Sequence, residues 1–207
     1  GPLTGDASSI GTVNKAAVEL AVEEINKDGG IGGRTLKVVY EDGQCTAKVA
    51  TNAANKLINV DKVPVILGST CSPAMLAFAP IAEQAKVVVL GYCATAPKIT
   101  DAGDYIFRDV PSDLFQADFA AKYIYGTLGK TKVAIIYLNN DWGWGLKKSF
   151  GEAFTALGGT IVLEEGYDPT SKDLRTQMAK VKSSGADILY FPGFTDGTIA
   201  GLKQAKA

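Results

Sequence analysis

Hydroxyl side chains follow two apolar runs at corresponding places in the sequence. After residues 63–67 comes Gly68-Ser69-Thr70-Cys71-Ser72-Pro73, and after residues 87–90 comes Gly91-Tyr92-Cys93-Ala94-Thr95-Ala96-Pro97. In open parallel sheets, ligands gather outside the carboxyl ends of the strands. Ser72 before Pro73 reads as a helix N-cap with proline at the first helical position, an end whose N–H groups and dipole favour a carboxylate or phosphate. A carboxylate held by Ser72 and Thr95 together would gain hydrogen bonds worth roughly 1.5–3 kcal/mol each, because the acceptor is charged. The plainer reading makes Ser72 a cap for its own helix and Thr95 an ordinary turn residue. Two further strand ends carry aromatic rings, Asn139-Asn140-Asp141-Trp142-Gly143-Trp144-Gly145 and Gly193-Phe194-Thr195-Asp196. One of the two tryptophans is expected to pack beneath its loop. The glycines around Trp142 form neither GxGxxG nor GxxxxGK[ST], so nucleotide phosphate is not the expected ligand.

The 207 residues include three cysteines and no histidine, which removes the commonest general base and metal ligand at once. The cysteines lack CxxC spacing, so neither a metal site nor a cofactor is expected. An enzyme built here would have to use acids such as Asp141 and Asp196. Cys45 and Cys71 both follow predicted strands near one sheet edge; a disulfide there is consistent with an oxidising compartment and leaves Cys93 as the free thiol. Lys and Arg total 21 against 22 for Asp and Glu, a formal charge of −1 without long runs of one sign, so nucleic acid and anionic lipid are poor partners. No apolar stretch approaches the ~20 residues of a membrane span, and the start lacks a basic segment with an apolar core. The expectation is a soluble chain, already processed or trimmed.

The elements that must position these residues alternate. Residues 36–40, 63–67, 87–90, 133–138, 161–164 and 188–191 read as strands, with helices at about 13–25, 47–57, 73–84, 114–125, 142–157, 174–181 and from 198 on. Such alternation predicts an α/β fold with parallel sheets flanked by helices. The rhythm breaks between Ala96 and Ser112, where a short strand-like piece at 105–108 has no long helix before it. A crossing between two lobes fits, with a first lobe at 1–111 that lacks its first strand and an incomplete second lobe at 112–207. Both ends of the chain read as cut.

Four marks in this order resemble the type I periplasmic binding proteins, and within them the leucine/isoleucine/valine-binding branch of ABC transporter receptors. They are Gly1-Pro2-Leu3-Thr4-Gly5, residues 24–33 (EINKDGGIGG), the Cys45 and Cys71 pair, and Ala94-Thr95-Ala96-Pro97. The resemblance covers essentially the whole chain. It implies a two-lobed fold of that type, truncated here at both ends, that captures a small polar ligand, an amino acid first, for a membrane permease. It also implies a periplasmic or extracellular location, including lipid anchoring on the cell surface. By the same resemblance Ser72 and Thr95 hold the ligand's α-carboxylate and α-ammonium groups, Cys93 contributes backbone, and Ile10 lies beside the ligand side chain. Trp142 and Phe194 match tyrosines of the second lobe, and neither carries the phenol hydroxyl. The family's acidic partner for the ammonium would lie beyond Ala207. The other functions compatible with these residues are an extracellular sensor domain, an amide- or urea-type binding protein, and a cytoplasmic repressor core.

Overall fold

The structure is a computed structural model and describes residues 1–5 and 7–206. It divides into two compact units, one of Gly1–Ala94 with Lys98–Val110, the other of Thr95–Pro97 with the chain from Pro111 onward.

The first unit begins with α1 (Ser8–Lys27) and α2 (Ala47–Asn59), then β1 (Val65–Leu67), α3 (Ser72–Ala85), β2 (Val88–Gly91), a 3-10 turn and β3 (Ile106–Arg108). The three strands form a parallel sheet in the order β1-β2-β3, with Ile66 opposite Val89 and Leu90 opposite Phe107. Met75, Phe78, Ala79 and Ala82 of α3 and Val89 of β2 are buried. Gly29 and Gly30 follow directly on the end of α1 and its cap residue Asp28. Gly30 has φ +75°, and a Cβ there would lie 2.1 Å from the Arg34 carbonyl oxygen, so the chain can reverse tightly only without a side chain.

One expected strand is missing. Residues 36–40 make no β-ladder among the described residues. A strand exists only with a neighbour to exchange backbone hydrogen bonds, and local β propensity cannot supply one. Leu36 is anchored instead by a side chain, since Asn26 Nδ2 donates to its carbonyl (2.9 Å) and Asn26 Oδ1 accepts from its N–H (2.7 Å). These residues line a cavity of about 730 Å³ together with α1, α2 and the edge of β1, where Val65 and Leu67 are exposed.

The second unit contains α4 (Asp113–Lys122), a π-helical turn at Tyr123–Thr127, β4 (Lys132–Leu138), α5 (Asp141–Ala156), β5 (Thr160–Tyr167), α6 (Arg175–Ser183), β6 (Ile188–Tyr190) and α7 (Thr195–Lys206). Ala207, the last residue of the expected second lobe, lies outside the described residues. The sheet is parallel with β4 central, in the order β5-β4-β6. Alternation along β4 explains both layers. Val133, Ile135 and Tyr137 pack with Ala117 and Ala121 of α4 and with Leu146, Phe150 and Phe154 of α5. Ile136 and Leu138 face the opposite way, onto Tyr167, Leu174 and Met178. A strand buried on both faces reads as an unbroken apolar run, which is why residues 133–138 were recognisable in the sequence.

Asp187 ties the amino ends of β4 and β6 together, its carboxylate accepting from the N–H groups of Thr131 (3.2 Å) and Lys132 (3.0 Å). These bonds, Thr131's first, hold its pKa below the ordinary carboxylate value. A depressed folded-state pKa contributes stability above the unfolded pKa of about 3.9, lost as pH falls through the folded value. Carboxyl NMR of the folded chain should therefore show Asp187 titrating below about 3.9, and Asp187→Asn should remove that part of the acid limb; a midpoint at or above the unfolded value would contradict this.

Candidate functional site

Five of the six expected ligand residues, all but Ile10, lie where strands of the two sheets hand over to helices. In the first unit, β1 ends at Leu67 and the chain turns through Gly68, Ser69 and Thr70 into α3. The sequence places Ser72 at the N-cap; in the structure Cys71 takes that position, extended at φ −111° and ψ 126°, and Ser72 is the first helical residue with Pro73 behind it. The turn closes one residue early because Ser69 Oγ accepts the Cys71 N–H at 3.0 Å. Ser72 therefore stands in the first turn, among the N–H groups that have no intrahelical acceptor, and is 3% exposed.

The disulfide joins Cys45 to Cys71 with a Cα–Cα distance of 5.3 Å, which fixes this helix end to the loop before α2. Cys93 is an exposed free thiol between Tyr92 and the buried Ala94 after β2, and partial burial of its sulfur pushes its pKa up.

Beside this junction is a polar cluster that the sequence did not reveal. Thr70, buried, accepts from Asn14 Nδ2 at 3.1 Å and lies 3.0 Å from the Tyr92 hydroxyl. Thr70 and Tyr92 follow β1 and β2 in sequence, but Asn14 comes from α1, and no local pattern foretells that approach. Ile10, one turn earlier on α1, is 38% exposed.

In the second unit Trp142 is the focus. Asn140 caps α5, its Oδ1 accepting the Gly143 N–H at 2.9 Å, and Trp142 sits in the first turn. Gly143 permits this position, because a Cβ there would lie 2.0 Å from the Leu138 carbonyl oxygen. The Trp142 ring touches both core layers of the unit and stacks on Phe194, centroids 5.2 Å apart and planes 23° from parallel. Its indole Nε1–H donates to Thr95 Oγ1 at 3.2 Å. The Thr95 carbonyl in turn accepts the Asp113 N–H at 2.9 Å, and Pro97 packs on Gly145. These contacts explain why Thr95–Pro97 groups with the second unit although it follows β2 in sequence. Trp142 is thus the tryptophan that packs inward. Trp144 is 50% exposed, donates to Asn139 Oδ1 at 2.9 Å, and carries the Lys147 ammonium 5.1 Å from its ring centroid.

No group of three or more His, Cys, Asp or Glu is placed to hold a metal among the described residues, and no helix among them is long and apolar enough to cross a membrane. The first unit offers the Ser72 hydroxyl at the start of α3, and the second offers the Thr95 hydroxyl beside the two rings of Trp142 and Phe194.

The model of a family described as periplasmic binding protein matches residues 1–207. The leucine-, isoleucine-, valine-, threonine- and alanine-binding protein of Pseudomonas aeruginosa is 31% identical over 207 residues, all of this chain and 55% of that protein. Among solved structures, the leucine-binding protein LivK of Thermotoga maritima superposes with a TM-score of 0.93 at 29% identity, over 99% of this chain and 58% of that one. An ABC transporter solute-binding protein from R. palustris, in complex with 4-hydroxybenzoate, superposes with a TM-score of 0.88 at 26% identity, over 99% of this chain and 55% of that one. The chain spans about half the length of the curated relatives it matches.

Proposed function

The chain belongs to the periplasmic binding protein family, and on that premise we propose that it is a solute-binding receptor, not an enzyme, that captures a small carboxylate-bearing metabolite outside the cytoplasm for uptake by an ABC transporter permease. An amino acid is the first candidate, since relatives matching all or nearly all of this chain are named for binding amino acids. The observation that carries the reading to the residues is the bond from the Trp142 indole to the Thr95 hydroxyl beside the Phe194 ring. It puts a polar group at the edge of an apolar platform, which is what a solute with one charged end and an apolar body requires. Ser72 contributes a second hydroxyl at a helix start, Cys93 backbone, and Ile10 an apolar side chain.

An aromatic acid is the second reading. The stacked pair of Trp142 and Phe194 favours it, because flat rings pack well on aromatic faces and neither residue brings the phenol hydroxyl expected from the resemblance.

Ser72→Ala and Thr95→Ala, made in the full-length protein, should each weaken binding by about 1.5–3 kcal/mol, ten- to a hundredfold, because a buried carboxylate loses one hydrogen bond. The two losses should be non-additive, since both groups would touch one ligand. Calorimetric titration of both variants and the double variant checks this. If Ser72 only serves its helix, Ser72→Ala should lower the ligand-free melting temperature and leave affinity alone.

A further inference from the structure

We infer that Tyr167 is a positioning residue for the aromatic face: its phenol is wedged beneath Gly193 and Gly197 and sets where the Phe194 ring stands against Trp142. The inference rests on the solute-binding reading and gives a part in that site to a core residue which neither the strand-end pattern nor the resemblance singles out.

Tyr167 closes β5 at the carboxyl end of the second sheet, and its side chain is buried with Ile136, Leu138, Leu174 and Met178. Its ring meets Phe191 edge-on, centroids 5.7 Å apart and planes 78° from parallel. From there the hydroxyl reaches the backbone on which Phe194 is mounted. A Cβ on Gly193 would lie 2.6 Å from the Tyr167 hydroxyl oxygen, and one on Gly197 would lie 2.8 Å from the same atom. Neither glycine lies in the left-handed region, so both serve here by giving room and not by a special backbone conformation. The phenol fills the space that the two absent side chains leave. The Thr198 hydroxyl, also 2.6 Å from the Gly193 position, can turn aside about χ1; the tyrosine, held in the core, cannot.

The Tyr167 oxygen makes no hydrogen bond among the described residues. Burial pushes the phenol pKa up to about 12, with the Phe194 backbone close enough to pull the other way. Leaving a buried hydroxyl unbonded is unfavourable, and a phenylalanine would avoid it. What the oxygen contributes is bulk at one point under this turn. Phe194 follows Gly193 directly, and its carbonyl accepts the Thr198 N–H at 2.9 Å, which ties the ring to the first turn of α7. A rise or fall of that piece on the phenol changes the 5.2 Å spacing of Phe194 and Trp142, and with it the face offered to a ligand's apolar body.

A rescue in the full-length protein tests this. Gly193→Ala adds a methyl group against the phenol oxygen, so the backbone must lift and carry Phe194 with it. Gly193→Ala/Tyr167→Phe removes that oxygen and makes room for the methyl. The first readout needs no ligand: the indole N–H resonance of Trp142, assigned by its loss in Trp142→Phe, senses the ring current of Phe194. It should move in Gly193→Ala and return towards its original position in the double variant. The second readout is calorimetry with isoleucine or 4-hydroxybenzoate, whichever the unaltered protein binds. Gly193→Ala should weaken binding about tenfold, and the double variant should recover to within about threefold of the unaltered protein. Tyr167→Phe alone removes one buried oxygen and adds nothing, which keeps the inference testable if Gly193→Ala disturbs the fold. It should shift the same resonance and weaken binding about threefold. Effects of the two substitutions that simply add, or a lower melting temperature with resonance and affinity both unchanged, would make Tyr167 a packing residue and overturn the inference. Binding of neither acid by the unaltered protein would count against the solute-binding reading, while the resonance still decides whether the phenol sets the place of Phe194.

Discussion

Replacing both Cys45 and Cys71 by alanine should lower the stability of the protein by about 3.5 kcal/mol, the chain-entropy value for a bridge spanning 26 positions. Chemical denaturation with and without the bridge measures it. The effect should reach beyond stability, because Cys71 is the cap residue of α3 and Ser72 follows it directly. Freed from the loop before α2, the first turn of α3 can fray, and affinity for the ligand should fall as well. Mass analysis after alkylation without reduction should find one modified thiol, Cys93, and three after reduction and unfolding. Modification of Cys93 should quicken as pH rises, since its thiol ionises above the usual range and the thiolate is the reacting form. Unchanged stability in the double variant, or a bridge involving Cys93, would contradict this account.

Phe150→Ala should have a cost of the same order, about 3–5 kcal/mol. Phe150 is fully buried at the centre of the second unit's core, stacked on Tyr190 with centroids 4.0 Å apart and on Phe154 at 5.4 Å. It is the point where α5 meets the sheet, and α5 carries Trp142 at its start. Leaving a cavity there loses dispersion contacts that neighbouring rings cannot recover by shifting. Equilibrium unfolding monitored by near-UV circular dichroism would measure the cost; a loss under about 1 kcal/mol would mean the core collapses freely around the gap.

What could be read from the sequence was what local pattern determines. Residues 133–138 announced a central strand because both faces of β4 are buried, and residues 47–57 and 73–84 announced helices through apolar spacing. Residues 161–164 gave only part of β5, which runs from Thr160 to Tyr167. The charges of Glu164 and Glu165 break the apolar run, and the structure tolerates them because Lys147 and Lys180 each meet one at 2.7 Å beside this edge strand. Residues 36–40 have strand composition and no strand partner among the described residues, a fact about neighbours that propensity does not contain. At the site, residue types at strand ends were legible, as were Cys45 and Cys71. Asn14 beside Thr70, and the indole of Trp142 on a hydroxyl 47 residues away, were not, because both contacts are made by the fold.

The central claim is that this chain belongs to a receptor for a small carboxylate, and the most direct measurement is binding itself. Isothermal titration of the full-length protein with branched-chain amino acids and with 4-hydroxybenzoate, each beside its neutral amide, should find one acid bound at a single site with its amide bound much more weakly. The same acid at 100 times its dissociation constant should add about 2.7 kcal/mol to stability, visible as a higher melting temperature. Equal binding of an acid and its amide, or no heat and no thermal shift with any of these solutes, would contradict the account.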